Sequence, residues 1–306
     1  MTYSRAEARL ASGEKARTMA ELNYGGVALS FQGPSALLGC LAKVNGEPHQ
    51  DVAPAARVCC LLRESAEVDA PSSTAGGRGW LSWRWQAGMA RVATRSARAL
   101  VWKASGKDEY GAEAWLPPDS REATTLVGAL SSAILHDAGG LLLHTASVLW
   151  ESQVVAFLGP SGAGKSTACR QMRGAPLFSL DRVAVMPHEP GALASDTSSW
   201  FAYPLFGGTA LDPGAPRAKP AWTPLGALLQ VQQAPGIAHV ERRWGARAIA
   251  SLRESVFIGA TDPEAELALL TRLERLRLDV PVGRLHFALG SCLVAPVSRW
   301  LSEQTR

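Results

Sequence analysis

Lysine is scarce in this sequence, since only six of its 31 basic residues are lysines. The basic residues form no continuous run, and the formal net charge of +4 is mild for 306 residues. A nucleic-acid-binding protein usually carries a basic stripe or patch, so this charge pattern does not indicate that function. The arginine, alanine and glycine content is typical of a GC-rich bacterial genome.

Cysteines and long apolar runs are also few. The five cysteines are odd in number and match no metal-binding spacing, so we interpret them as reduced thiols. The N-terminal residues hold no apolar stretch long enough for a signal peptide. The most apolar region, residues 128–150, is interrupted by serine, histidine and aspartate, which excludes a membrane span. We therefore expect a cytoplasmic protein with no membrane contact.

The remaining composition is that of a globular protein, with 47% hydrophobic and 19% charged residues. In the first 120 residues, short apolar runs alternate with clusters of turn-forming residues, a pattern that predicts short strands. We place these strands at residues 27–31, 56–62, 80–85 and 99–102. The sequence thus predicts a β-rich N-terminal region.

The second part of the chain mixes helical and strand patterns, which predicts an α/β fold with a mixed sheet. Helices are expected at 122–136, 165–173 and 261–278. In the last of these, Thr261 and Glu264 form a capping box, and the apolar stripe consists of Leu267, Leu270, Leu273 and Leu276. Strands are expected at 177–180 and 183–186, and the apolar runs 141–149 and 153–158 are expected to form a hairpin. We expect a long loop at 187–224 and a pair of strands at 283–297.

One motif carries specific chemistry. Residues 159–167 read Gly-Pro-Ser-Gly-Ala-Gly-Lys-Ser-Thr and match the phosphate-binding pattern G-x-x-x-x-G-K-[ST] in full. Glycines let the backbone turn tightly, so that its N–H groups form an anion nest that opens onto a helix N-terminus. We expect Mg-ATP to be bound here by Gly159, Ser161, Gly162, Ala163, Gly164, Lys165, Ser166 and Thr167.

Three residues of this motif have separate predicted tasks. Lys165 supplies a positive charge to the β- and γ-phosphates, Ser166 offers its hydroxyl to Mg²⁺, and Thr167 bonds an α-phosphate oxygen. A glycine-rich turn that binds nothing is the alternative interpretation. That alternative does not explain why Lys-Ser-Thr stands at the one place where phosphate binding would use it.

Several classes of nucleotide-binding protein are disfavoured. Transporter ATPases need an LSGGQ-like signature and an apolar run ending in Asp-Glu, and GTPases need an Asn-Lys-x-Asp motif; the sequence has none of these. Small-metabolite and nucleotide kinases normally carry the loop near the N-terminus, whereas here it begins at residue 159.

Two segments around the loop resemble a known family. Leu-Leu-His-Thr-Ala at 142–146 precedes the loop, and Ser-Leu-Asp-Arg-Val-Ala-Val at 179–185 follows it. Their order and spacing resemble the HPr kinase/phosphorylase family, which has a PEP-carboxykinase-like nucleotide-binding fold. The resemblance covers about residues 125–190 well, weakens over 200–300 and is absent from 1–120. It implies a nucleotide-binding domain at 121–306, preceded by a region of unknown role at 1–120.

The resemblance also implies roles and partners. Lys165 and Ser166 would hold Mg-ATP, Asp181 would bind Mg²⁺ or act as general base, and His144 would lie against the reacting phosphate. The protein would be an oligomeric kinase that phosphorylates a serine or threonine hydroxyl of a protein or peptide. However, Leu180 stands where the family has the first of two aspartates. Either Asp181 performs both tasks, or the chain is an ATP-binding sensor with little catalysis.

Overall fold

The structure, a computed structural model, describes residues 19–24, 26–41, 54–64, 82–86, 88–104, 109–187, 200–205, 218, 221–257 and 263–304. These residues form a strand-rich mixed α/β fold with two mixed sheets. Within these ranges, no helix is long and apolar enough to cross a membrane.

The first sheet has seven strands in the order β1-β2-β3-β7-β6-β5-β4. The pairs β2–β3 and β3–β7 are parallel and the others antiparallel. The elements are β1 (Met19–Tyr24), β2 (Val27–Gln32), α1 (Ser35–Leu41), β3 (Ala56–Glu64), β4 (Ser82–Gln86), β5 (Met89–Ala93), β6 (Arg98–Lys103) and β7 (Glu109–Leu116). Each of the four predicted apolar runs contributes to a strand, which confirms the β-rich character of this region; residues 80 and 81 lie outside the described ranges.

The second sheet has nine strands. Seven follow the order β11-β9-β10-β14-β13-β12-β8; β16 pairs with β14, and β15 pairs with β16. Its strands are β8 (Leu141–His144), β9 (Ala146–Trp150), β10 (Gln153–Leu158), β11 (Leu177–Ser179), β12 (Arg182–Met186), β13 (Phe201–Leu205), β14 (Thr223–Gln233), β15 (His239–Arg242) and β16 (Val282–Phe287). The helices of this part are α2 (Ser120–Asp137), α3 (Lys165–Gln171), α4 (Gly245–Ser255), α5 (Pro263–Asp279) and α6 (Val294–Gln304).

Helix α2 lies between the two sheets and matches its prediction closely. The Asp119 side chain accepts a hydrogen bond from the Arg121 backbone N–H at 2.7 Å and caps the start of the helix. At the end, Gly139 adopts a left-handed φ of +92° that allows the chain to turn away. One hydrophobic cluster runs from Val58 in the first sheet through Leu130 of this helix to Leu142 in the second. The division of the chain at residue 120 stays a prediction.

The predicted hairpin is confirmed only in part. Strands β9 and β10 pair antiparallel around Glu151 and Ser152, whose φ values of +48° and +66° suit a two-residue turn with left-handed backbone. The run 141–149, however, is two strands and not one. The chain breaks at Thr145, whose N–H donates to the Asp181 carbonyl at 3.1 Å, and β8 pairs with β12 instead.

Two other expectations needed correction. The long predicted loop at 187–224 contains strand β13, and β14 begins at Thr223; most of its other residues lie outside the described ranges. The predicted strand pair at 283–297 is one strand, β16, followed by helix α6. A short apolar run does not distinguish strand from helix by periodicity, and Pro296 is tolerated in a first helical turn.

Helix α5 is confirmed, and its predicted apolar face is confirmed for Leu273 and Leu276 but wrong for Leu267 and Leu270, which are exposed. The buried face consists of Leu269, Leu273 and Leu276, whereas Leu267 is 67% exposed. Each three-residue step falls about 60° short of a full turn, so three such steps carry Leu267 to the side opposite Leu276. Thr261 of the predicted capping box lies outside the described residues.

Candidate functional site

The glycine-rich loop lies where the carboxyl ends of three parallel strands meet. It follows β10, which is parallel to β14, and β14 is parallel to β16. A Cβ placed on Gly164 would lie 2.5 Å from Nε2 of Gln233 at the end of β14 and 3.2 Å from the ring of Phe287 at the end of β16. Ligands of open α/β sheets bind outside the carboxyl ends of the strands, so the loop lies at the edge of the sheet where a ligand is expected to bind.

The loop requires glycine at three positions. Gly159, Gly162 and Gly164 have φ values of +142°, +81° and +100°, a region that residues with a side chain rarely adopt. Ser161 and Gly162 are exposed, while Ala163 and Gly164 are half-buried. The tip of the loop is therefore accessible, and its base is packed against the sheet.

Lys165 begins helix α3 and is only 7% exposed. Its Nζ donates hydrogen bonds to the carbonyl oxygens of Gly159 at 2.8 Å and Pro160 at 3.1 Å. Burial lowers the pKa of this ammonium group, and the negative charge of Asp181 opposes that shift. Ser166 and Thr167 follow in the first turn of the helix, both half-buried.

Asp181 and His144 meet because their strands pair. In the antiparallel register of β12 and β8, Arg182 lies opposite His144, and Asp181 directly precedes β12. Nδ1 of His144 lies 3.2 Å from one carboxylate oxygen of Asp181, and Nε of Arg182 lies 3.1 Å from the other. Sequence reasoning predicted His144 and Asp181 separately, and the structure places them in contact.

The electrostatics keep the Asp181 carboxyl ionised. Burial by itself would raise its pKa, but the hydrogen bond from His144 and the positive charges of Arg182 and Lys165 outweigh burial and lower the pKa. Asp181 and Lys165 are close enough for each charge to shift the pKa of the other group. The structure therefore brings His144 and Asp181 into contact and places Lys165 within range of the Asp181 charge.

Sequence reasoning missed the residues that hold Arg182 in place. Its guanidinium donates to the hydroxyl of Tyr24 in β1 and stacks on the ring of Phe257, with Cζ 3.7 Å from the ring centre. A Cβ on Gly128 of α2 would approach Nη1 to 2.9 Å. The Arg182 side chain is 14% exposed. No local signal could have revealed Tyr24, because 158 positions separate it from Arg182.

Leu180 turns toward the interior. It is half-buried and packs against the hydrophobic cluster that contains Ala168 and Cys169 of helix α3. No second carboxylate therefore stands beside Asp181 at this position.

Comparisons with known proteins identify no family for the chain. No protein-family model matches it, and no curated protein matches its sequence. Among the solved structures that match is the HPr(Ser) kinase/phosphatase from Coxiella burnetii, at 8% identity, with 54% of this chain and 95% of that chain covered and a TM-score of 0.28. The match is distant, and a superposition this loose carries no argument about the activity of this chain.

Proposed function

We propose that this chain binds Mg-ATP at residues 159–167 and transfers the γ-phosphate to a serine or threonine hydroxyl of a protein or peptide. One observation carries the proposal. The buried ammonium group of Lys165, at the end of a loop with three left-handed glycines, lies within electrostatic reach of the ionised carboxylate of Asp181. Positioning and charge neutralisation are the main requirements for phosphoryl transfer.

The residues present fit the proposed ligand. Lys165 directs its charge to two carbonyl oxygens of the loop itself. With ATP bound, that charge would act on phosphate oxygens, supported by backbone N–H groups at the helix N-terminus. The hydroxyl of Ser166 and the carboxylate of Asp181 are hard oxygen donors, which Mg²⁺ prefers. Bound Mg²⁺ would neutralise charge that develops on the phosphates.

Asp181 would have two tasks in this proposal. As an ionised carboxylate it would ligate the metal, and it would accept the proton that the substrate hydroxyl loses during attack. Its lowered pKa suits the first task better, because a general base works best with a pKa near the working pH. His144 would keep the carboxylate oriented through its Nδ1 contact.

A second candidate function is a nucleotide sensor with little catalysis. The packing of Leu180 favours it, because this residue contributes a core contact where a second carboxylate would otherwise be available as base. In this function, ATP would bind through the same loop without transfer.

Phosphate transfer from γ-labelled ATP tests the proposal. The purified chain would be incubated with Mg²⁺ and labelled ATP, alone and with bacterial cell extract, beside Lys165→Ala and Asp181→Asn. Lys103→Ala is the matched control, because Lys103 ion-pairs with Asp137 on the exposed surface away from the loop. A labelled protein or peptide that is absent with both site variants and present with the control would support a kinase.

Two other results would separate the alternatives. ATP binding that depends on Lys165, without transfer to any component of the extract, would contradict the kinase and favour the sensor. Equal ATP binding by the parent chain and Lys165→Ala would contradict both functions.

A further inference from the structure

Three potential metal ligands converge on strands β15 and β16, outside the loop site. One carboxylate oxygen of Glu241 lies 3.7 Å from Nε2 of His239, and the other lies 3.3 Å from Nε2 of His286. One ligand atom from each of the three side chains lies within 4.8 Å of the other two. Among the described residues, no other group of three histidine, cysteine, aspartate or glutamate side chains converges in this way.

The strand geometry explains this convergence. His239 and Glu241 are two positions apart on β15, so their side chains lie on the same face of the sheet. His286 on β16 is directly opposite His239 in the antiparallel register. The two imidazole rings stack with centres 4.7 Å apart and planes 6° from parallel. Glu241 is the diagonal neighbour that reaches both rings.

A backbone contact orients one of the imidazoles. Nδ1 of His239 lies 3.1 Å from the carbonyl oxygen of Ile237. A carbonyl only accepts, so Nδ1 must carry the proton in this contact, and the lone pair of the neutral ring is then on Nε2. Metal-binding histidines commonly donate their second N–H to such a carbonyl, which fixes the ring for coordination. Nε2 of His239 is also the atom that faces Glu241.

We propose that His239, Glu241 and His286 bind a transition-metal dication of the Zn²⁺ type. Two imidazole nitrogens and one carboxylate suit zinc and its neighbours, whereas Mg²⁺ and Ca²⁺ prefer oxygen ligands alone. Metal–ligand bonds of about 2.0–2.1 Å in a tetrahedral site place ligand atoms about 3.4 Å apart. Glu241 offers a different oxygen to each imidazole, at 3.7 and 3.3 Å, and one ligand atom from each side chain lies within 4.8 Å of the other two, so small side-chain rotations would bring the three to this spacing. Three protein ligands leave one position for water.

A simple ion pair explains the cluster less well. Two protonated imidazoles with ring centres 4.7 Å apart would repel each other, and this repulsion offsets much of what the second charged ring gains from the carboxylate. A dication shared by the three side chains binds both rings in their neutral form. It would also attach the four-residue strand β15 more firmly to the sheet, since among the described strands β15 pairs with β16 alone.

This site differs from the proposed Mg-ATP site. Leu285 and Phe287 alternate with His286 along β16 and are buried in the hydrophobic cluster that contains Ala168 of α3. His286 therefore projects from the opposite face of the sheet. The metal proposal consequently stands or falls independently of ATP binding.

Zinc binding to the full chain tests this proposal. Cys292 is an exposed thiol, so every variant would carry Cys292→Ser to remove a competing zinc ligand. Zn²⁺ affinity would be measured by competition with a chromophoric chelator. We expect one Zn²⁺ per chain, with affinity weakened about 10-fold or more by His239→Ala and by Glu241→Gln. His239 and Glu241 are 57% and 56% exposed, so neither change disturbs a packed core.

Two controls make the result specific. Glu254→Gln removes an exposed carboxylate from the neighbouring helix α4, and His144→Ala removes the histidine of the loop site; neither should change zinc affinity. Zinc should also raise the melting temperature of the Cys292→Ser chain and not that of its Glu241→Gln form. The proposal would be overturned by the absence of zinc binding, by unchanged affinity in both ligand variants, or by a loss that follows His144→Ala instead.

Discussion

Nδ1 of His144 lies 3.2 Å from Asp181, and this contact depends on the register that pairs β8 with β12. The same carboxylate is approached at 3.1 Å by Nε of Arg182. One acidic group is thus shared by two nitrogen groups from adjacent strands. A carboxylate held in this way should contribute to stability as well as to the site.

The stability contribution of Asp181 should depend on pH. Its pKa in the folded chain is lowered below the unfolded value, so its contribution is present above the unfolded pKa and is lost as the pH falls through the folded pKa. We expect Asp181→Asn to unfold more easily than the parent at pH 7, by up to about 1 kcal/mol, and the difference to close in acid. Urea unfolding across the acid range would measure this. If the stability difference between the parent and Asp181→Asn grew larger toward low pH, the predicted direction of the pH dependence would be wrong.

Under the proposed kinase function, an acid introduced at position 180 should increase phosphate transfer. Leu180 packs against the cluster that contains Ala168 and Cys169, so the carboxylate of Leu180→Asp would act as a base only after it turns out of that cluster. General base catalysis commonly contributes about 10²–10⁴-fold. We expect at least about a tenfold increase in transfer rate, with a loss of about 1–3 kcal/mol of stability because the leucine is half-buried. Leu180→Asn is the matched control, since it introduces a side chain of the same shape without the charge. Equal rates for the two variants would show that the carboxylate has no such role.

Alanine at Gly164 should impair both the loop and ATP binding. The position has a φ of +100°, and the new Cβ would lie 2.5 Å from Nε2 of Gln233. Gly139 is the matched control, because its φ is +92° and a Cβ added there would meet nothing within 4 Å beyond its chain neighbours. Both alanine variants should lose about 1–2 kcal/mol from backbone strain. Only Gly164→Ala should weaken ATP binding, measured by titration calorimetry; an equal effect of both would indicate general destabilisation.

Removing the Tyr24 hydroxyl should disturb the Asp181 site from a distance. The hydroxyl accepts a hydrogen bond from Arg182, and hydrogen bonds to charged groups contribute about 1.5–3 kcal/mol. Tyr24→Phe should lose stability in that range and reduce phosphate transfer. Tyr110→Phe is the control, because Tyr110 donates to Asp137 at 2.7 Å in a contact that does not involve Arg182. If Tyr24→Phe left the transfer rate unchanged, the orientation of Arg182 by Tyr24 would not contribute to phosphate transfer.

Local patterns predicted much of the fold. The glycines of the loop, the Gly139 cap of helix α2 and the apolar runs of the first sheet are signals contained in a few consecutive residues, and these predictions agree with the structure. Helix α6 was mistaken for a strand because its apolar run is too short to show a period. Helix α4 was not predicted at all; its buried face combines Ala248 and Leu252 with Ser251 and Ser255, so it carries no stripe of large apolar residues.

The arrangement of the site depends on contacts that no local pattern contains. His144 and Asp181 were selected by spacing around the loop, yet their contact arises from β8 leaving β9 to pair with β12. The stacking of Arg182 on Phe257 joins residues 75 positions apart, and register between distant strands has no short-range signature. The sequence could therefore indicate which residues form the candidate site, but not how their side chains are arranged.

The bond between Tyr24 and Arg182 has a practical consequence for work on this protein. A fragment that starts at residue 121 would keep the glycine-rich loop, His144 and Asp181, but it would lack the hydroxyl that the guanidinium contacts in the whole chain. It would also expose the apolar side of α2 that the first sheet covers. Expression of residues 121–306 by themselves is thus a poor substitute for the intact polypeptide, and assays that use this fragment would report on a site without the Tyr24 contact to Arg182.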